Sequence, residues 1–170
     1  MKQKLMTNLV GLILLACGCS VVQAQEISLS RSAPYETEHD IANKIINECT
    51  TLGDKLSSFT QSYADKNGIK INLVDQTNTS AAGKTLKLEI SDAVSAGNAF
   101  IGHRKFVEVK GSLWEDGKII GSFRGQRSSG GGAFGAYKGS CAVLGRCVKT
   151  LGKDIAAWLK NPVDGARVGE

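Results

Sequence analysis

The sequence predicts an α+β domain: a mainly antiparallel sheet of about four strands with two helices packed on one face, in the order α-β-β-β-β-α. Three observations carry this. Apolar residues recur at steps of three and four over residues 41–63 and 144–159, the period of helices with one buried face. Between those stretches they alternate at period two, as in strands buried on one side only. Glu115-Asp116-Gly117-Lys118 then separates two alternating runs, and an Asp-Gly pair there is a hairpin signal.

The chain opens with a different kind of segment. Met1-Lys2-Gln3-Lys4 is basic, Leu5 to Ala16 is mostly apolar, and Val22-Gln23-Ala24 suits a cut before Gln25. Residues 1–24 therefore read as a secretory signal peptide, with an apolar run too short to span a membrane. Leu14-Leu15-Ala16-Cys17 overlaps it as a lipobox, so the alternative is a lipoprotein signal ending before Cys17, whose thiol would carry the acyl anchor. Either route exports the chain, to the periplasm or the outer membrane, where thiols oxidise.

Gln25 to Tyr35 is polar, contains Pro34 and reads as a tether to a single domain over residues 36–161. The first helix follows, with Ile41, Ile45, Cys49, Leu52, Leu56, Phe59 and Tyr63 on one face. Thr37 is placed to cap it, Gly53 to kink it and Asn67-Gly68 to end it. Ile69, Ile71 and Leu73 alternate in a first strand, and Leu86, Leu88 and Ile90 in a second, with a polar loop at Thr77–Gly83 between them. Ser91 to Gly102 reads as a less regular connection. The hairpin arms are Phe106–Trp114, with Val107, Val109 and Leu113 on one face, and Ile119–Arg127. Parallel pairing of the first two strands stays open, because only the hairpin fixes its own register.

A glycine-rich loop, Gly130 to Gly139, carries Phe134 and Tyr137. The last helix places Leu144, Val148, Leu151, Ile155 and Leu159 on one face, and Asn161-Pro162 stops it. Residues 162–170 read as a tail.

Five cysteines, Cys17, Cys19, Cys49, Cys141 and Cys147, leave three after a cut before Gln25. The spacing of Cys141 and Cys147 suggests a local bridge, which requires the helix to begin near Arg146. Six helical residues rise ~9 Å, beyond the ~7 Å Cα limit of a disulfide. If the helix begins at Ser140, one of the two should pair with Cys49 instead.

The full chain has a formal net charge of +5, and losing Lys2 and Lys4 with the signal leaves +3. The excess is concentrated: residues 102–153 hold ten basic side chains against three acidic ones. Such a half suits anionic envelope material, whereas nucleic acid is not an expected partner of an exported chain with no aromatic stacking motif. Arg124 and Arg127, near the end of the second hairpin arm, join Phe134 and Tyr137 as candidate contact residues.

Catalytic and cofactor motifs are weak. Gly130-x-Gly132-x-x-Gly135 matches the letters of a dinucleotide fingerprint without its βαβ surroundings, and Ala82-Gly83-Lys84-Thr85 lacks the first glycine of a phosphate loop, where Asn78 stands. His39 and His103 have no metal-ligand spacing, and no Ser-His-Asp arrangement occurs. No cofactor, metal or catalytic residue is assigned. The alternative to a binding domain is an exported enzyme or inhibitor acting on envelope polymers, and the oligomeric state stays open.

Val107-Glu108-Val109 through Trp114-Glu115-Asp116-Gly117-Lys118, then Arg127-Ser128-Ser129-Gly130-Gly131, then Leu151-Gly152-Lys153-Asp154-Ile155-Ala156-Ala157-Trp158-Leu159 resemble a bacterial family of exported proteins, often lipoproteins, of unknown function. That family is similar in layout to periplasmic α/β domains of cell-envelope assembly lipoproteins, among them the curli-secretion channel and activators of peptidoglycan synthases. The resemblance covers roughly the last half of the chain. It implies an envelope domain that binds a protein or polyanionic material, with no catalytic residues to carry over.

Overall fold

A computed structural model describes residues 26–37, 41–98, 102–129 and 139–169. The elements run β1 (Ile27–Ser30), α1 (Asn43–Glu48), α2 (Leu52–Lys66), β2 (Ile71–Val74), β3 (Lys84–Asn98), β4 (Gly102–Glu115), β5 (Lys118–Ser128), α3 (Ser140–Trp158) and β6 (Ala166–Val168). The α+β class holds. The four-stranded antiparallel sheet with two helices does not: among the described residues the sheet has six strands, in the order β2-β1-β3-β4-β5-β6, and there are three helices.

The sheet is mixed. β3, β4 and β5 form an antiparallel meander, while β1 pairs parallel with both β2 and β3, and β6 pairs parallel with β5. Two of these strands come from segments expected to be a tether and a tail. Ile27 and Leu29 are buried and alternate with Ser28 and Ser30, so a four-residue period-two pattern is enough when a slot between two strands awaits it. At the other end of the chain, Val168 is buried at the position opposite Gly125.

The long first helix is broken in two. Thr37 does not cap it; α1 starts at Asn43 after Ala42, without a side-chain cap. Cys49 to Thr51 interrupts the helix, and Gly53 lies in the first turn of α2 rather than at a kink. A Cβ on Gly53 would run into the carbonyl of Ala33, so its absence is what lets α2 sit on the segment after β1. The predicted stop is where the sequence places it: α2 ends at Lys66, and Gly68 takes a positive φ of 76°.

Within the segment expected as a connection, Ser91 to Gly102, residues 91–98 and 102 are strand, and β4 continues through 103–105. β3 and β4 pair from Lys84↔Glu115 to Asn98↔Gly102. A bulge between Ile90 and Asp92 shifts the alternation by one, so Ile90 and Ala93 are both buried. The β4–β5 turn is as predicted, with Asp116 at φ 49° and Gly117 at φ 80°.

All three helices pack on one face of the sheet. Leu88, Ile90, Val107, Val109, Leu113 and Phe123 meet Leu144, Val148, Leu151 and Ile155 of α3 and Leu52 and Leu56 of α2 in one buried cluster. Phe123 and Trp158 rings lie 4.8 Å apart, tilted by 60°. Helices α2 and α3 cross at Gly152, where an added Cβ would come within 2.8 Å of Phe59 Cβ and 2.9 Å of the Thr60 nitrogen.

The disulfide joins Cys49 to Cys141, with Cα atoms 5.3 Å apart, and this corrects the Cys141–Cys147 assignment. The reason is where α3 starts. It begins at Ser140, so both cysteines lie inside one regular helix, too far apart along its axis to bond. Cys141 faces the end of α1, while Cys147 is buried and free. The bridge ties α1 to the first turn of α3, and the Tyr35 hydroxyl donates to the Cys49 carbonyl at 3.1 Å beside it.

Candidate functional site

Among the described residues, one face of the sheet has no helix on it, and the pairing register defines what it displays. Glu89, Lys110, Arg124 and Arg167 are successive partners across β3, β4, β5 and β6, which puts them in one row. The neighbouring row is Lys87, Ser112 and Ser122, and the next sets Thr85 beside Trp114 and Ile119. Two small serines between longer neighbours leave a trough. Lys87, Glu89, Lys110, Trp114, Arg124 and Arg167 border it, and its volume is about 470 Å³, within the range usual for ligand clefts.

Both signs of charge are present. Lys110 Nζ donates to both oxygens of Glu36 at 2.7 and 2.8 Å, which fastens the segment after β1 across the sheet. Lys87 lies 2.9 Å from Glu89. Arg124 is the loosest: its guanidinium is 3.9 Å from Glu108, and its side chain is 68% exposed. A pair that open to water contributes little, so Arg124 can exchange Glu108 for an anionic or hydrogen-bonding group of a partner. The Trp114 indole N–H donates to Ser112 Oγ at 2.9 Å and fixes the ring at one end of the trough.

The structure does not bring the two candidate arginines together. They are three residues apart on one strand, so they point to opposite faces. Arg127 lies on the helix side and donates to Asp154 of α3 through Nε at 2.8 Å and Nη2 at 3.1 Å. The hydrogen bond to Asp154 holds its pKa above the ordinary guanidinium value. It fastens α3 to the end of β5. Phe134, Tyr137 and Cys17 lie outside the described residues. In sequence the two aromatics lie between β5 and α3, whose first residue, Ser140, accepts at Oγ from Ser95 Oγ at 2.7 Å.

Sequence reasoning missed Lys110, Trp114 and Arg167 as neighbours of Arg124. The alternation of β4 places Lys110 and Trp114 on its less apolar face, and the packing of the described helices leaves that face uncovered. Arg167 was hidden in the supposed tail. Cys147 carries a thiol whose pKa is raised, chiefly by burial; at neutral pH it is protonated and a poor nucleophile. Among the described residues no group of three or more His, Cys, Asp or Glu could hold a metal ion.

No family model matches the chain, and no curated protein matches it in sequence. Solved structures with a similar chain course include three from bacteria. A PelC dodecamer from Paraburkholderia phytofirmans is 13% identical with a TM-score of 0.47, over 76% of this chain and 87% of that one. A minor lipoprotein from Acinetobacter baumannii is 12% identical with a TM-score of 0.45, over 80% of this chain and 92% of that one. A DUF330 protein from Xanthomonas campestris is 9% identical with a TM-score of 0.48, over 81% of this chain and 84% of that one.

Proposed function

We propose that this chain is an exported, non-enzymatic binding or assembly domain of the bacterial envelope, and that its partner docks on the uncovered face of the sheet around Arg124. The observation that carries this is the one-sided packing. Six strands are covered by helices on one face, while the other presents a trough walled by Trp114, Lys110 and Arg124. The partner is an envelope protein or polyanionic envelope material, engaged by the arginine fork and the indole ring. The basic and apolar leader supplies the export.

The test is a pull-down of the exported protein from native envelope, comparing wild type with Arg124→Glu and with Phe134→Ala plus Tyr137→Ala. Loss of the partner with Arg124→Glu at an unchanged melting temperature supports the trough. Loss only with the aromatic pair, again without a change in melting, moves the contact to the 130–139 connection. Retention by both variants retires the reading.

A further inference from the structure

Among the described residues, the exposed large hydrophobic side chains are Ile119 at 53%, Ile120 at 37% and Val163 at 50%. All three lie toward one end of the sheet. Ile119 pairs with Trp114, next to the β4–β5 turn, and the irregularity at Leu113/Trp114 makes Ile120 an extra, unpaired residue. Val163 runs alongside, its carbonyl accepting from the Ser122 N–H at 3.3 Å. Trp114, partly exposed on the neighbouring strand, adds an amphipathic ring of the kind that suits a membrane–water boundary.

The chain leading from the N-terminus arrives at the same end. Ile27, the first residue of β1, is level with Lys84, and Lys84 is level with Glu115 at the β4–β5 turn. Cys17 precedes Glu26 by nine residues, a reach of at most ~30 Å when extended. A membrane that holds Cys17 is therefore met first by this end. The opposite end carries the Cys49–Cys141 disulfide.

We propose that this end is a membrane-contact face, with Ile119, Ile120 and Val163 dipping into the lipid boundary and Trp114 at the headgroup level. Lys84 and Lys118 stand there with Glu115, Asp116 and Asp164, two basic groups against three acidic ones, so the attraction is apolar rather than electrostatic. The proposal rests on the export reading of the leader; it shares Trp114 with the trough but not Arg124. It orients the trough perpendicular to the membrane, open to the aqueous side.

The test uses protein purified from the envelope, in whichever processed form export leaves it, and vesicles of phosphatidylethanolamine with phosphatidylglycerol. Trp158 is 7% exposed and lies in the core, so iodide-quenchable emission reports Trp114. Vesicles should shield that emission in wild type. Ile119→Ser with Ile120→Ser should leave it quenchable, and in an unacylated form should lower vesicle partition by roughly tenfold. Val163→Ser alone gives a weaker effect in the same direction and serves where the double change disturbs folding. Arg124→Glu should behave as wild type here, which separates this proposal from the trough. Unchanged quenching of wild type with vesicles overturns it, as does full shielding of the double variant. Shielding that grows with protein concentration without lipid also overturns it and assigns the face to a second copy.

Discussion

Replacing Cys49 and Cys141 together by alanine should remove more stability than any other pair of substitutions of this size. The two residues are 92 apart in sequence. Closing a loop of that length restricts the unfolded chain by ~16 cal/mol/K, or ~4.6 kcal/mol at about 25 °C. A Cys141–Cys147 bridge would close only six residues, and the same relation gives ~2.2 kcal/mol. Against a typical total of ~5–15 kcal/mol, the larger loss brings the variant close to unfolding. The assay is equilibrium urea denaturation followed by tryptophan emission, with non-reducing peptide mapping of the parent protein. The expected result is a loss of several kcal/mol on breaking the Cys49–Cys141 bond, a steeper denaturant dependence as the unfolded chain expands, and a free Cys147. A loss below about 1 kcal/mol would refute the loop argument. A mapped Cys141–Cys147 peptide would refute the packing of α1 against α3 as well.

Cys147 and the glycines of α3 give two further tests. Burial raises the Cys147 pKa above the ordinary thiol value, and burial also raises that of Tyr35. For a folded pKa above the unfolded one, the stabilising contribution is fully present below the unfolded value and is lost as pH rises through the folded value. Stability should therefore decline on the alkaline side, Cys147→Ala should reduce that decline, and native protein should resist thiol alkylation until denatured; rapid native labelling of Cys147 would contradict its burial. In α3, Gly152→Ala and Gly145→Ala should have opposite signs. The first pushes a methyl into the Phe59–Thr60 backbone, at an expected cost of ~1–3 kcal/mol, whereas the second has only Lys55 Cδ at 3.9 Å to meet and should gain up to ~1 kcal/mol of helix propensity. Thermal melts decide both, and equal effects would mean the helix crossing is looser than described.

What was legible in the sequence was local. The apolar periods of α2 and α3, the stop at Asn67-Gly68, the two faces of β4 and the Asp116-Gly117 turn are each fixed by a few neighbouring residues, and each stands in the structure where the sequence places it. What failed depended on partners far along the chain. Ile27-Ser28-Leu29-Ser30 is too short to announce itself, and it becomes a strand because β2 and β3 flank it on both sides. Ala166–Val168 is a strand only because β5 has an open edge for it. The start of α3 settled the disulfide, since a helix from Ser140 leaves Cys141 no partner nearby in sequence and brings it to Cys49.

The same distinction governs the site. Alternation separates Lys110 and Trp114 from Val107 and Val109, but it does not say which set meets the helices; apolar content does, and the remaining face is left to water or a partner. Arg124 and Arg127 look alike in sequence, yet their odd spacing commits Arg127 to Asp154 and leaves Arg124 exposed. The strand that sequence reasoning took for a tether has a mechanical consequence. Because β1 is hydrogen-bonded on both edges, to β2 and to β3, a pull on the chain at its N-terminus would pass directly into the sheet, one strand in from its edge. A loose tether would let the domain tumble against a membrane. A first strand paired on both edges, which enters at the end of the sheet that carries Ile119 and Ile120, would instead hold that end toward an anchor at Cys17.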